Sequence, residues 1–337
     1  MSRIVITGGL GFIGSYFVNY YAPLESGNQF LVLDVLNNTG FIDNIKDILI
    51  LSNVSFKKCN INNKILVNKI FKDFKPDIVI NFAAETSVDY SFKNPKIFEK
   101  TNVKGLQNLL NAGIKFKVKK FVQISTDEVY GDVDIDNDTT KFDEKSPLRP
   151  LNPYSSSKAK GDLMCLSYVD KSPMQISITR SANNFGPRQF IDKLIPHTLS
   201  SLLYGENIVL YGDGQNVRDR LFVGDNVNAI HEVVKIGVNG EIYNISSQNF
   251  KNNITIVDKI IKDVDYFTGK HHDYEIFREV GRKINDKKYS ITNDKIKHLT
   301  NIEFCDFDSA FLDTIIWYIN HPEFIEKCRK IKKQINK

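Results

Sequence analysis

The chain has 337 residues, of which 42% are hydrophobic and 25% charged, and its formal net charge at pH 7 is +5. This length and balance are typical of a soluble globular protein with one large α/β domain and a smaller lobe. The lysines are spread along the chain without an arginine-rich stripe or an aromatic ladder, so we expect no nucleic-acid partner. The lysine-rich stretch 327–337 indicates the solvated end of a last helix.

Six short apolar runs predict the strands of a parallel sheet. Each is rich in β-branched or aromatic residues and nearly continuous in apolar character, as strands buried on both faces are. They occupy residues 4–6, 30–33, 54–56, 78–82, 121–124 and 175–179. Helical spacing at 13–21, 64–74 and 95–112 lies between them, and this alternation predicts a doubly wound α/β fold of the Rossmann type.

The pattern changes after about residue 185, where glycines and prolines separate shorter elements. We therefore expect a dinucleotide-binding Rossmann domain over 1–185. Residues 186–337 are expected to form mainly a smaller α/β substrate-binding lobe, interleaved with later strands that return to the first domain.

The four cysteines, Cys59, Cys165, Cys305 and Cys328, lie far apart and have no zinc-ligand spacing. We expect reduced thiols and no metal site. The amino terminus runs straight into the first predicted strand, and no apolar run is long enough to span a bilayer. These features predict a cytoplasmic protein without membrane contact.

A glycine-rich turn follows the first predicted strand and opens a helix. Gly8, Gly11 and Gly14 are spaced G-x-x-G-x-x-G, which permits a tight turn and a close approach of a pyrophosphate to the backbone. Asp34 ends the second strand, twenty residues past Gly14. An acid there hydrogen-bonds a ribose 2′-hydroxyl and repels a 2′-phosphate, which favours NAD over NADP. The alternative is a glycine-rich turn followed by an ordinary polar strand end.

Two groups of residues could carry acid–base chemistry. Tyr154 and Lys158 form Y-x-x-x-K on one face of a predicted helix, where the ammonium is expected to lower the phenol pKa and create a general base. Thr126, Asp127 and Glu128 follow the strand at 121–124, at the end where doubly wound folds build their sites. The alternatives are a tyrosine and a lysine on a solvated helix and a polar surface turn.

Together these motifs resemble the extended short-chain dehydrogenase/reductases, and specifically the nucleoside-diphosphate-glucose 4,6-dehydratases. The resemblance covers residues 3–320, and the Thr-Asp-Glu tripeptide distinguishes this subfamily from related epimerases and decarboxylases. The matching segments are TGGLGFIG at 7–14, NFAAETSVD at 81–89, STDEVYG at 125–131, NPYSSSKA at 152–159, NNFGPRQF at 183–190, KLIP at 193–196, YGDGQNVRD at 211–219 and YNI at 243–245.

The resemblance implies a role for each catalytic residue. Tyr154, activated by Lys158, takes the proton of the hydroxyl at carbon 4. The hydride from carbon 4 passes to NAD and returns at carbon 6. Glu128 removes the proton at carbon 5, and protonated Asp127 donates to the departing hydroxyl of carbon 6. Thr126 orients the hydroxyl at carbon 4, and the product is a 4-keto-6-deoxy sugar.

The resemblance also implies binding residues and a homodimer. Besides the three glycines, Asp34, Tyr154 and Lys158, the implied cofactor contacts are Phe12, Ile13, Asn60, Ile61 and Ala83. Besides Thr126, the implied substrate contacts are Glu85, Asn183, Lys193, Arg218 and Asn253. The implied partner is a second copy of the chain, paired through helices around 95–112 and 155–169, on which Leu163 and Leu166 could instead be ordinary core.

Several positions depart from the bacterial dTDP-glucose enzymes. Asn60 replaces an aspartate that meets the adenine, Ser87 replaces a histidine, and Arg220 replaces a tryptophan. The segment 282–289 carries Asn285-Asp286, which is similar to eukaryotic members, including plant enzymes that act on UDP-glucose on the way to UDP-rhamnose. This departure favours UDP-glucose over dTDP-glucose as the substrate.

Two alternatives remain at this point. One is a 4-epimerase or decarboxylase of the same fold, although Asp127 argues against a decarboxylase. The other is a non-catalytic NAD-binding regulatory protein, which the fold alone would not exclude.

Overall fold

The computed structural model describes residues 1–37, 39–136, 139–272, 276–279 and 286–335. Its main sheet has seven strands, all parallel, in the order β10-β6-β5-β4-β1-β2-β3. The strands of the described chain are β1 Arg3–Thr7, β2 Gln29–Asp34, β3 Val54–Lys58, β4 Ile78–Asn81, β5 Lys120–Thr126, β6 Gln175–Ser181, β7 Asn183–Phe185, β8 Ile208–Tyr211, β9 Val217–Phe222, β10 Ile242–Ile245, β11 Phe250–Asn252 and β12 Ile276–Glu279.

Helices cover both faces of this sheet. The described α-helices are α1 Phe12–Leu24, α2 Lys64–Phe74, α3 Val88–Lys93, α4 Pro95–Phe98, α5 Leu106–Lys115, α6 Pro153–Ser167, α7 Leu194–Leu203, α8 Val223–Ile236, α9 Asn253–Thr268, α10 Asp294–Thr300, α11 Phe307–Asn320 and α12 Pro322–Ile335. A π-helical segment, Glu99–Gly105, joins α4 to α5. Helices α1 and α8 pack into the core on one face, and α2, α5 and α6 contribute to the core on the other. The predicted Rossmann-type α/β fold is confirmed.

The strand order creates a crevice at the carboxyl edge of the sheet. From β1 the chain builds outward through β2 and β3, and β4 then returns to the other side of β1 and is followed by β5 and β6. Ligands of doubly wound sheets bind where the order reverses, here between the ends of β1 and β4.

A smaller lobe stands beyond this edge. It contains a three-stranded sheet, β11-β9-β7, and a two-stranded sheet, β12-β8, with a separate apolar core drawn largely from α7, α9 and α11. Strand β10 and helix α8 belong instead to the main sheet and its core, although both follow β9 in the chain. Sequence position therefore does not separate the two lobes cleanly.

The predicted elements agree with the observed ones at their centres. All six predicted strands lie in the main sheet, and α2 has the predicted bounds. The four cysteines are free thiols, and none of the helices in the described chain is long and apolar enough to cross a membrane. The described residues contain no cluster of side chains able to hold a metal ion.

Candidate active site

The glycine-rich turn brings two backbones into contact. Gly8 has φ +67°, and a Cβ placed there would lie 2.6 Å from the backbone nitrogen of Ala83, which follows β4. A Cβ on Gly14 would lie 2.5 Å from the carbonyl oxygen of Gly8. Both positions need glycine, because a side chain would force the turn away from the sheet or from helix α1.

Helix α1 presents a bare amino-terminal end at this turn. It begins at Phe12 and continues with Ile13, and its N-cap, Gly11, supplies no side-chain oxygen for the first amide groups. Apart from its two chain neighbours, a Cβ added to Gly11 would meet only the carbonyl oxygen of Gly8 within 4 Å among the described residues, at 3.3 Å. The unfilled N–H groups and the positive end of the helix dipole fit a pyrophosphate.

Asp34 ends β2 beneath the turn. Its carboxylate accepts hydrogen bonds from the amide groups of Leu10 and Leu36, both at 3.1 Å, and is 8% exposed. Burial raises the pKa of this carboxyl, and the backbone hydrogen bonds oppose the rise. A carboxylate that is hydrogen-bonded to Leu10 of the glycine-rich turn fits a ribose hydroxyl.

The residues expected at the adenine lie after β3. The side-chain oxygen of Asn60 accepts from the amide of Asn62 at 2.9 Å, which leaves its amino group as the donor end. Ile61 is buried, and its carbonyl oxygen accepts from Asn108 of α5 at 3.0 Å. Asn60 therefore offers an amide where the bacterial enzymes carry a carboxylate.

The acid pair lies in a short turn, Asp127–Tyr130, at the end of β5. The hydroxyl of Thr126 accepts from the amide of Glu128 at 3.3 Å and donates to the Asp127 carboxylate at 3.2 Å. Asp127 is 2% exposed and Glu128 9%. This hydroxyl therefore holds two neighbouring acids in a site largely closed to water.

Burial and like charge favour different protonation states for the two acids. Burial raises the pKa of Asp127 well above its usual value, and the charges of Glu128 and Asp219 raise it further. The pKa of Glu128 is also raised, by burial and by Asp286, while Arg218 opposes the rise. We infer that Asp127 retains its proton and that Glu128 is ionised, because two neighbouring carboxyls commonly differ in protonation state.

Tyr154 and Lys158 lie in the first turns of α6. Asn152 caps this helix through a reciprocal pair of hydrogen bonds with Ser155, and Pro153 occupies its first position. Tyr154 is 8% exposed, and it interacts with Thr126 through a hydrogen bond and electrostatically with Glu128 and Asp127. The phenol therefore lies close to the acid pair.

The expected lowering of the Tyr154 pKa is not what the structure shows. The ammonium of Lys158 donates to the carbonyl oxygen of Ile124 at 2.6 Å. Burial and then the charge of Glu128 raise the phenol pKa, and a hydrogen bond with Thr126 only partly opposes them. The expectation was wrong in direction because Y-x-x-x-K spacing does not reveal the carboxylates across the cleft or the carbonyl that engages the lysine.

Two of the expected substrate residues, Arg218 and Lys193, interact electrostatically with Glu128. Arg218, in β9, lies 4.7 Å above the ring of Tyr289 and interacts electrostatically with Asp127 and Glu128. Its guanidinium donates to the carbonyl oxygen of Asp286 at 3.0 Å, so no carboxylate pairs with it in the described chain. Lys193 donates to the carbonyl oxygen of Thr86 at 3.2 Å across the cleft.

The remaining expected contacts differ in their surroundings. Glu85 is fixed through its backbone by Asn102, and burial raises the pKa of its carboxyl. Asn183 opens β7, and its side-chain oxygen is buried without a partner among the described residues. Asn253 opens α9 and accepts a hydrogen bond from Arg220 at 2.6 Å. Of the segment 282–289, residues 282–285 lie outside the described residues.

Sequence reasoning missed three residues beside the acid pair. Asn152 donates to the Glu128 carboxylate at 3.4 Å, although the sequence alone indicated no role for it beyond the segment 152–159. Asp286 and Asp219 add negative charge near Glu128 and Asp127 respectively. The Asn-Pro before Tyr154 could have suggested the first, but no local signal places the two distant aspartates here.

Fold and site together define a short-chain dehydrogenase/reductase in which a buried tyrosine, Tyr154, lies close to two carboxyls. A family model described as GDP-mannose 4,6 dehydratase matches residues 5–303. The chain belongs to this family, the nucleoside-diphosphate-sugar 4,6-dehydratases of the short-chain dehydrogenase/reductase type. It is an enzyme of the hydro-lyase class.

Known relatives match almost the whole chain. The low-salt glycan biosynthesis protein Agl12 of Haloferax volcanii is 38% identical, over 95% of this chain and 99% of that protein. The dTDP-glucose 4,6-dehydratase of Streptomyces niveus is 35% identical, over 97% and 96% respectively. The crystal structure of DesIV, a dTDP-glucose 4,6-dehydratase from Streptomyces venezuelae with NAD and TYD bound, superposes with a TM-score of 0.90. It is 32% identical and covers 97% of this chain and 99% of that one.

Proposed function

We propose that the protein converts a nucleoside-diphosphate glucose to its 4-keto-6-deoxy sugar. The observation that carries this proposal is the proximity of Tyr154, Thr126, Asp127 and Glu128, which interact with one another. Two carboxyls at different protonation states beside a phenol fit a reaction that needs one base at carbon 5 and one acid at carbon 6. An epimerase would need no such acid pair, and a purely regulatory protein would need none of these groups.

The cofactor is NAD, and we assign it to the glycine-rich turn. Gly8, Gly11 and Gly14, with the start of α1, would hold the pyrophosphate, and Asp34 the ribose. Phe12, Ile13, Asn60, Ile61 and Ala83 would line the rest of the site, and Tyr154 and Lys158 its reactive end. When bound, NAD supplies a hydride acceptor for carbon 4 and, once reduced, a hydride donor for carbon 6.

The phenol of Tyr154 receives the proton of the hydroxyl at carbon 4, which Thr126 orients. Because burial raises the phenol pKa, phenolate formation needs a nearby positive charge. Lys158 lies four residues along the same helix, and turning from the Ile124 carbonyl would bring its ammonium toward the phenol.

The acid pair then removes water. The ketone at carbon 4 acidifies the hydrogen at carbon 5, and the Glu128 carboxylate takes that proton. Asp127, which keeps its proton, donates it to the departing hydroxyl of carbon 6. Glu128 later returns a proton to carbon 5, so both carboxyls serve within one turnover.

The smaller lobe would hold the nucleotide end of the substrate. Arg218 suits bidentate recognition of a diphosphate, and Asn183 and Asn253 lie near it on the same lobe. Lys193 would lie along the nucleoside, and Glu85 beside the sugar. In this proposal residues 1–185, with the returning strand β10, serve mainly the cofactor and residues 186–337 mainly the nucleotide sugar.

We propose dTDP-glucose and UDP-glucose as the two candidate substrates. Relatives named as dTDP-glucose enzymes support the first. The second rests on the Asn285-Asp286 pair, of which Asn285 lies outside the described residues. A pocket distinguishes the methyl group of thymine by about 1–3 kcal/mol, roughly 10- to 200-fold in kcat/KM. Parallel measurements of kcat/KM, with the keto sugar detected by its absorbance in alkali, decide between the bases.

We further propose a homodimer through the helical stretch 95–112, which comprises α4, the π-helical segment and most of α5, and the stretch 155–169, most of which is α6. Leu163 of α6 is 57% exposed, whereas Leu166 packs against the core, so only the first is left for a partner. Sedimentation should show a dimer at micromolar concentration that Leu163→Glu weakens and that Tyr266→Glu, at an 81% exposed site on α9, leaves intact. A monomer in the unmodified protein would remove the proposal.

A further inference from the structure

Strand β9 carries two arginines on the same face. Side chains alternate along a strand, so Arg218 and Arg220 point one way and Asp219 the other. The carboxylate of Asp219 accepts hydrogen bonds from Ser246 and Ser247, at 2.5 Å and 2.7 Å. The acid between the arginines is thus engaged by hydroxyl groups and forms no salt bridge with either of them.

Arg220 is the more unusual of the two. It is 7% exposed, and its Nε is buried without a hydrogen-bond partner in the described part of the chain. Its one side-chain hydrogen bond there runs from Nη2 to the Asn253 side chain at 2.6 Å. Burial and the neighbouring Arg218 lower its pKa to about 9, and the charge of Asp219 only partly opposes them. A desolvated guanidinium that has one hydrogen bond to a neutral amide and no salt bridge is costly unless a ligand completes its surroundings.

The neighbouring strand supplies a second polar side chain without a partner. Asn183 of β7 pairs in register with Arg220, and its side-chain oxygen is buried and unbonded within the described residues. Arg220, Asn253 and Asn183 therefore form a compact polar group next to Arg218. A tryptophan at position 220, as in the bacterial enzymes, could offer only one N–H donor and no charge.

We propose that Arg220 is a second diphosphate-binding residue, which, with Asn253 orienting it, binds the phosphoryl group next to the one that Arg218 binds. Two guanidinium groups that form no salt bridge within the described residues match the two negative phosphoryl groups of a nucleoside diphosphate. This inference rests on the proposed function and adds a specificity determinant to it. The protein should discriminate nucleoside diphosphates from monophosphates more strongly than Arg218 alone would allow.

The test compares ligand binding by the NAD-loaded protein and its variants. Dissociation constants for UDP, dTDP and UMP are measured by calorimetry for the unmodified protein, Arg220→Gln, Arg220→Lys and Lys251→Gln. Lys251 lies beside Arg218 on β11 but is exposed, so it is the matched control for a nearby charge. Arg220→Gln should raise the dissociation constants of UDP and dTDP at least 10-fold and that of UMP less than 3-fold. Arg220→Lys should recover part of the lost affinity for the diphosphates. Lys251→Gln should leave each dissociation constant within 2-fold of its value for the unmodified protein.

Thermal melts separate ligand binding from a structural role. Removing an unpaired buried charge should leave the ligand-free melting temperature unchanged or higher, while the stabilisation by UDP decreases. Equal weakening of UDP and UMP, or a large fall in the ligand-free melting temperature, would overturn the proposal. If Arg220→Gln does not fold, that outcome itself indicates a structural role. If the diphosphate preference holds but no keto sugar forms, the inference stands and the proposed function fails.

Discussion

The buried ion pair behind the active site offers a quantitative test of how the catalytic helix is held. The Nε of Arg180 donates to Asp162 at 2.9 Å, and the two side chains are 2% and 0% exposed. Asp162 follows Lys158 by one helical turn, and Arg180 lies 4.7 Å from the ring of Tyr130, in the turn that carries the acid pair. The pair thus connects α6 to β6 and, through the ring of Tyr130, to the turn that follows β5.

Asp162→Asn keeps the shape of the side chain and leaves the buried guanidinium without its counter-charge. Breaking such a pair costs about 3–5 kcal/mol. With an unfolding entropy of about 2.1 cal/mol/K per residue, the 337 residues give roughly 0.7 kcal/mol/K. The melting temperature should therefore fall by about 4–7 °C.

Glu232→Gln is the control, because it removes a partly exposed ion pair of similar length that lies outside the proposed dimer interface. Lys235 and Glu232 of α8 lie 3.0 Å apart with side chains 53% and 28% exposed, so the melting temperature should change by less than about 1.5 °C. The double change Asp162→Leu with Arg180→Met should recover much of the loss. A decrease in melting temperature of less than about 1.5 °C for Asp162→Asn would refute the reasoning.

Two further predictions concern the acid pair and the glycine turn. Asp127→Asn should lower kcat by roughly 10²–10⁴, because the acid at carbon 6 is lost. Since the folded protein raises the pKa of Asp127, its carboxyl favours folding fully below about pH 3.8 and loses that contribution as pH rises through the raised value. The melting temperature of the variant should therefore equal that of the unmodified protein near pH 4 and exceed it at pH 8. The same difference in melting temperature between the two proteins at both pH values would contradict this. Gly14→Ala should weaken NAD binding at least 10-fold in a fluorescence titration, because its Cβ would lie 2.5 Å from the Gly8 carbonyl oxygen. Gly27→Ala, whose Cβ would meet nothing within 4 Å, is the control, and equal affinities would count against the assigned turn.

The sequence was informative where local pattern and chemistry coincide. Continuous apolar runs marked the strands, because strands buried on both faces tolerate little else. The same patterns placed Asp127 and Glu128 at the carboxyl end of β5 and Tyr154 at the start of α6, and the three residues interact electrostatically.

What the sequence could not reveal depends on distant residues. Asp286 follows Glu128 by 158 positions in the chain, yet its charge raises the pKa of that acid. Nothing near Arg180 in sequence indicated that its partner would be Asp162 on a helix. The direction of the Tyr154 pKa likewise follows from burial and from carboxylates across the cleft, which spacing along one helix does not encode.

The most direct test of the central claim is the reaction in D2O with dTDP-glucose and with UDP-glucose, followed by NMR and mass spectrometry of the sugar. The carboxyl proton of Glu128 exchanges with solvent, so the account predicts a 4-keto-6-deoxy product that has lost one water and carries deuterium at carbon 5. A product that keeps its hydroxyl at carbon 6, or the absence of a keto sugar from both substrates, would contradict it.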